Sequence, residues 1–195
     1  NKVEAVFLDR DGTIIEEKNL LSNINDISII DGVPEAIIRL NNAGIPVIMA
    51  TNQPAVARNL CTEKEVMEIN AKIRELLNSS NGSFIDEIFF CPHHPDRGYP
   101  EENKQYKIEC DCRKPKPGML IQASNRRGLN LRKSFMIGDT TTDIETGKRA
   151  QSQTVLVKTG YAGRDSKFKV EPDYTFDSLL EATKFILNFN SEKTE

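Results

Sequence analysis

The chain has no tryptophan, only two histidines and an aromatic content of 7%, and it lacks any large excess of charge of either sign. Without aromatics interleaved with basic residues there is no stacking platform for nucleic acid bases. A balance of 26 Lys and Arg against 29 Asp and Glu, net −3, also excludes broad electrostatic binding to polyanions or anionic membranes. No run approaches the roughly 20 apolar residues of a membrane span, and no basic-then-apolar leader opens the sequence, so a cytoplasmic protein with no membrane partner is expected. Internal repeats and a second set of core segments are missing as well. A single domain over 1–195 is therefore expected, with a charged tail, 190–195, that frays. At 195 residues the chain is long enough to bury about 70% of its unfolded surface, and a monomer is expected.

Short apolar runs alternate with amphipathic segments, which predicts an α/β fold with a mainly parallel sheet flanked by helices. The strand candidates are Val3–Leu8, Ile45–Ala50, Ile85–Phe90, Ser134–Ile137 and Thr154–Val157. A helix opens at Gly32-Val33-Pro34, with Pro near its first turn and Ala36, Ile37 and Leu40 on one face. Thr62-Glu63-Lys64-Glu65 has the spacing of a capping box and starts a second helix, reaching about Leu77. Others are expected from Pro117-Gly118 to near Gly128, from Thr142 to Ala150 and from Ser178 to Leu187.

The most informative stretch is Phe7-Leu8-Asp9-Arg10-Asp11-Gly12-Thr13, an apolar run ending in two carboxylates spaced i, i+2 and then a glycine. Gly12 permits a sharp turn, and the two acids then stand at the carboxyl edge of the sheet, where open α/β folds bind their ligands. Two such acids repel unless a cation lies between them, and hard oxygen ligands suit Mg²⁺. A second strand ends in Thr51-Asn52-Gln53, whose hydroxyl and neighbouring amides suit phosphoryl oxygens. Arg113-Lys114-Pro115-Lys116-Pro117 puts basic charge just before a helix start, a plausible phosphate site in an acidic protein. Phe135 to Asp139 ends a strand in a Gly-Asp pair, with Asp143 one helical turn further on, placed to support Asp139.

Of the four cysteines, Cys61 lies apart and reads as a small packing residue, while Cys91, Cys110 and Cys112 fall near both histidines. Cys91-Pro92-His93-His94, a polar loop over about 91–112, and Cys110-Asp111-Cys112 supply three thiolates and an imidazole. Those complete the tetrahedral shell of a closed structural Zn²⁺ site, with His93 and His94 equally eligible by spacing. Because Cys112 adjoins Arg113 and Lys114, such a staple would fix the basic residues without entering the chemistry.

The series FLDRDGT, then Thr51, then Lys114, then Gly138-Asp139 with Asp143 resembles the haloacid dehalogenase superfamily over about residues 3 to 185. That resemblance implies a Rossmann-like fold. The short gaps between motifs leave little room for a cap domain, so the site is expected to be open. FLDRDGT, TNQ, CPHH and CDCRKP together resemble the D-glycero-D-manno-heptose 1,7-bisphosphate 7-phosphatases, with the histidinol-phosphate phosphatases as near relatives. By that resemblance Asp9 is the nucleophile and Asp11 the acid and base. Mg²⁺ is held by the Asp9 carboxylate, the Asp11 carbonyl and Asp139, with Asp143 behind them. Thr51 and Lys114 bind the phosphoryl oxygens, Arg113, Asn52 and Gln53 bind a phosphosugar substrate, and Zn²⁺ takes Cys91, His93, Cys110 and Cys112. The implied reaction removes the 7-phosphate in the synthesis of nucleotide-activated heptose for cell-surface glycans.

Three stretches depart from that pattern at the substrate mouth: Glu17-Lys18-Asn19-Leu20-Leu21, Pro54-Ala55 after Gln53, and Thr140 after Asp139. They leave the sugar and its anomer open. Arg58 is a candidate for a compensating charge at the distal phosphate. Histidinol-phosphate hydrolysis is the alternative activity, and a zinc-stabilised binding domain without catalysis is the alternative of another class.

Overall fold

The computed structural model describes residues 2–98 and 100–191. Its centre is a six-stranded, wholly parallel sheet in the order β3-β2-β1-β4-β5-β6. The strands are β1 (Ala5–Leu8), β2 (Val47–Asn52), β3 (Glu87–Cys91), β4 (Ser134–Gly138), β5 (Gln153–Val157) and β6 (Tyr174–Phe176). The helices are α1 (Val33–Asn42), α2 (Glu63–Asn81), α3 (Gly118–Arg127), α4 (Thr141–Arg149) and α5 (Leu179–Ser191).

β1 is buried along its whole length, as a parallel strand covered on both faces must be. Its side chains alternate between two cores: Val6 and Leu8 join one with α1, α2 and α5, while Ala5 and Phe7 join the other with α3. The alternation that predicted the architecture is thus the alternation of two buried faces. β1 pairs with β2 and β4, so the strand carrying Asp9 has the strands leading to Thr51 and Asp139 on either side.

The predicted elements are all present, with shifted ends. β2 runs on through Thr51 and Asn52, because Asn52 still pairs with Cys91 in β3. α2 continues past Leu77 to Asn81 and stops where Gly82 takes φ 78°. β6 was not foreseen: it is a three-residue edge strand with no buried residue to give it a period. α5 extends through residues 190 and 191, which were expected to fray, and the rest of that expected tail, 192–195, lies outside the described residues.

Candidate active site

The carboxyl ends of the central strands bring together residues far apart in sequence. Asp9 follows β1, Asp139 follows β4, Asp143 lies in the first turn of α4, and Lys114 stands on the loop before α3. The Lys114 ammonium donates to Asp9 Oδ1 at 2.9 Å and to Asp143 Oδ1 at 2.6 Å, and all three groups are largely buried. Burial alone lowers a lysine's proton affinity, but the Asp143 and Asp9 carboxylates outweigh it and hold Lys114 above its usual value. Asp9 is pushed up to about 7 by burial and by the Asp143 carboxylate, with Lys114 pulling the other way. Asp139 is pushed up to about 8 by burial and then by Asp9 and Asp143. Three carboxylates in one dry cluster, served by one ammonium, carry unbalanced negative charge.

The residues fit a divalent cation. Oxygens of Asp9, Asp139 and Asp143 lie within 4.8 Å of one another, and Asp139 Oδ1 is buried without a hydrogen-bond partner. Asp139 Oδ2 accepts the Tyr161 N–H at 2.8 Å. Gly12, at φ 80°, and Gly160 close over the same carboxylate. A Cβ on either would stand 2.1 and 2.3 Å from Asp139 Oδ2 respectively, so neither position has room for a side chain. Both Asp143 oxygens are committed, one to Lys114 and the other to the hydroxyl of Thr140 at 2.7 Å in a capping box. That leaves Asp143 as a support behind the other two.

The Asp11 carboxylate points to a different set of partners. Arg10, fully buried, donates to both of its oxygens, from Nε at 3.1 Å and Nη2 at 3.2 Å. Gln53 donates to Asp11 Oδ2 at 3.0 Å and to Thr51 Oγ1 at 3.0 Å, and accepts from Arg10 at 2.9 Å. Asn70 in α2 takes the remaining Arg10 contact at 3.2 Å. Asn52 trades two hydrogen bonds with the Lys114 backbone, at 3.0 and 2.9 Å. The two amides expected among the substrate-binding residues are therefore engaged in holding Asp11, Thr51 and Lys114, although both line the cleft.

The cysteine cluster forms as the spacing suggested. Sγ of Cys91, Cys110 and Cys112 and Nδ1 of His93 lie within 4.8 Å of one another, with thiols unbridged. Cys112–Cys110 is 3.4 Å and Cys91–Cys110 3.6 Å, near the about 3.8 Å edge of a tetrahedron with zinc–sulfur bonds of about 2.3 Å. Cys112 and Cys91 are closer, at 2.8 Å. The Cys91 thiol and then His93 stabilise the Cys112 thiolate and bring it down to about 5, the form a metal takes, while Cys91 is pushed up. The choice between the histidines falls on His93: His94 Nδ1 accepts the Asp96 N–H and faces the cleft instead. Cys61 packs with Ala55, Val56 and Val66, away from the cluster.

Above the carboxylates opens a cleft of about 520 Å³. Asp9, Asp11, Thr51, Lys114 and Arg113 line it, and Arg113 also donates to the His93 carbonyl at 3.2 Å. Arg58 is not among the described residues that line it, but its charge acts on His94 and Arg113, which do, so it stands behind that wall of the cleft. Arg10, Tyr161 and Lys167 belong to this region and were missed. Arg10 had a signal, as the residue between the two acids. The Gly160 to Phe168 segment carried none, because its closeness to Asp139 is set by the β4–β5 pairing.

The HAD-hydrolase-like family model matches residues 111–182. A D-glycero-beta-D-manno-heptose-1,7-bisphosphate 7-phosphatase from Photorhabdus laumondii is 41% identical over 159 residues, covering 81% of this chain and 82% of that protein. A D-glycero-alpha-D-manno-heptose-1,7-bisphosphate 7-phosphatase from the same organism is 36% identical, covering 83% of this chain and 86% of that protein. The crystal structure of a D,D-heptose 1,7-bisphosphate phosphatase from B. bronchiseptica, complexed with magnesium and phosphate, superposes with a TM-score of 0.82 at 28% identity. It covers 95% of this chain and 99% of that one.

Proposed function

Since the chain belongs to the D-glycero-D-manno-heptose-1,7-bisphosphate 7-phosphatase family, we propose that it hydrolyses the 7-phosphate of a heptose bisphosphate through an aspartyl-phosphate. The observation that carries the chemistry is Lys114 bridging Asp9 and Asp143 at the carboxyl edge of the sheet, with Asp139 beside them. Mg²⁺, held by carboxylate oxygens of Asp9 and Asp139 and by the Asp11 carbonyl, supplies charge neutralisation at the phosphoryl oxygens when bound.

Asp9 attacks the phosphorus in line, forming a carboxyl–phosphate bond as the bond to the sugar oxygen breaks. Asp11 gives its proton to the departing oxygen and later takes one from the water that cleaves the aspartyl-phosphate. Arg10 and Gln53 keep the Asp11 carboxyl in a fixed orientation throughout. The Lys114 ammonium and the Thr51 hydroxyl hold equatorial oxygens, and Arg113 binds substrate at the mouth. The Cys91, His93, Cys110 and Cys112 cluster would hold structural Zn²⁺, which would fix the loop that delivers Arg113 and Lys114. We take residues 1–195 as one phosphatase unit, acting as a cytoplasmic monomer. No described helix is long and apolar enough to cross a membrane.

Mg²⁺-dependent phosphate release from the alpha and beta anomers of heptose 1,7-bisphosphate, beside histidinol phosphate, tests the reading. A kcat/KM favouring one bisphosphate anomer is expected. A preference for histidinol phosphate overturns the substrate and leaves the chemistry.

A further inference from the structure

Cations reach the cleft from two sides. Arg113 and Lys114 enter on the loop after β3, and Lys167 on the loop after β5. In the sheet order β1 and β4, which lead into Asp9 and Asp139, lie between those strands. The two groups of positive charge therefore flank the carboxylate centre.

On the first side the charges are engaged. Lys114 is bound to Asp9 and Asp143, and Arg113 donates to a carbonyl with Asp96 close enough to offset part of its charge. Lys167 is exposed and has no hydrogen bond or ion pair among the described residues.

Its backbone is nevertheless pinned on both sides. Asp165 accepts from the Thr141 N–H at 2.8 Å and from the Thr141 hydroxyl at 2.6 Å, and the Phe168 N–H donates to the same hydroxyl at 3.1 Å. Two residues earlier in that loop, Gly163 N–H bonds the Asp139 carbonyl at 2.8 Å. The Arg149 guanidinium lies 5.9 Å from the Phe168 ring centroid. An unpaired ammonium on a fixed backbone loses less freedom on binding than one on a loose loop.

A sugar with its reacting phosphate against Asp9 and Lys114 carries any second phosphate to the rim of the cleft. There the acids Glu17 and Asp96 also line the wall, so a dianion needs a cation of its own. Resting on the sugar-bisphosphate reading above, we propose that Lys167 binds the distal phosphate and so sets the preference for bisphosphates over monophosphates.

Steady-state kinetics on heptose 1,7-bisphosphate, heptose 7-phosphate and p-nitrophenyl phosphate, for wild type, Lys167→Ala and Lys167→Arg, test this. Lys167→Ala is expected to raise KM for the bisphosphate roughly fivefold, the effect of one partly screened charge pair. Its kcat, and both parameters for the other two substrates, should stay at wild-type values, with Lys167→Arg restoring most of the loss. An unchanged ratio of bisphosphate to monophosphate kcat/KM in Lys167→Ala overturns the proposal, as does an equal loss on all three substrates. If wild type itself treats bisphosphate and monophosphate alike, the substrate reading fails and this one with it. That outcome is visible before any variant is made.

Discussion

At the scale of the residue, the site is a group of acids competing for too little positive charge. Asp9→Asn removes the attacking oxygen while keeping an acceptor for Lys114. It should lower turnover by at least about 10³-fold with an unchanged circular dichroism spectrum. Normal turnover by that variant would remove Asp9 as nucleophile. The raised proton affinities of Asp9 and Asp139 have a thermodynamic sign. Without a cation the folded chain holds their protons up to about 7 and about 8, against 3.8 for an ordinary aspartate. The folded state therefore binds more protons across that window, and stability without metal falls as pH rises through it. Mg²⁺ takes the place of those protons, so millimolar Mg²⁺ should raise Tm more at pH 8 than at pH 5; a Tm shift equal at both would contradict this. Asp9, Asp11 and Asp139 were legible because their order and strand-end positions were in the sequence. The use of Arg10 and Gln53 as holders of Asp11 was not, since a polar side chain's partner depends on which strand ends meet.

At the scale of the element, strand ends and helix starts do the positioning. The loop that carries the cysteine cluster delivers two basic residues, so loss of a metal there should act on catalysis without touching the reacting atoms. Cys110→Ser is expected to abolish a one-to-one zinc content measured by total metal analysis, to lower Tm, and to reduce kcat through misplaced Lys114. Full zinc occupancy in that variant would exclude Cys110 as a ligand. The capping box at Thr62 was legible and is present: its hydroxyl accepts the Glu65 N–H at 3.2 Å and Glu65 accepts the Thr62 N–H at 2.7 Å. Thr62→Ala should cost about 1 kcal/mol, read as a Tm lower by about 2–4 °C at unchanged kcat. The mirror case, Thr140 with Asp143, was not seen as a cap, because Asp143 had been singled out only for its place near Asp139. It does both tasks at once. β6 escaped notice for the opposite reason: three half-exposed residues carry no pattern to read.

At the scale of the molecule, the parallel sheet sets which distant segments meet, and this was legible only as a class of architecture. Strand order explains why a loop near residue 160 reaches a turn at residue 12: Thr159 donates to the Gly12 carbonyl at 2.7 Å, and both segments close on Asp139. The signature acids leave the ribosome early, but their partners Lys114, Asp139 and Asp143, and the Gly160 backbone that seals them, are made much later. A nascent chain displaying the whole motif thus still lacks Lys114, Asp139 and Asp143, the groups that surround Asp9 in the folded protein. It acquires a cation-binding pocket only once β5 has docked and its following loop is out of the exit tunnel, so competence arrives as a late event of synthesis.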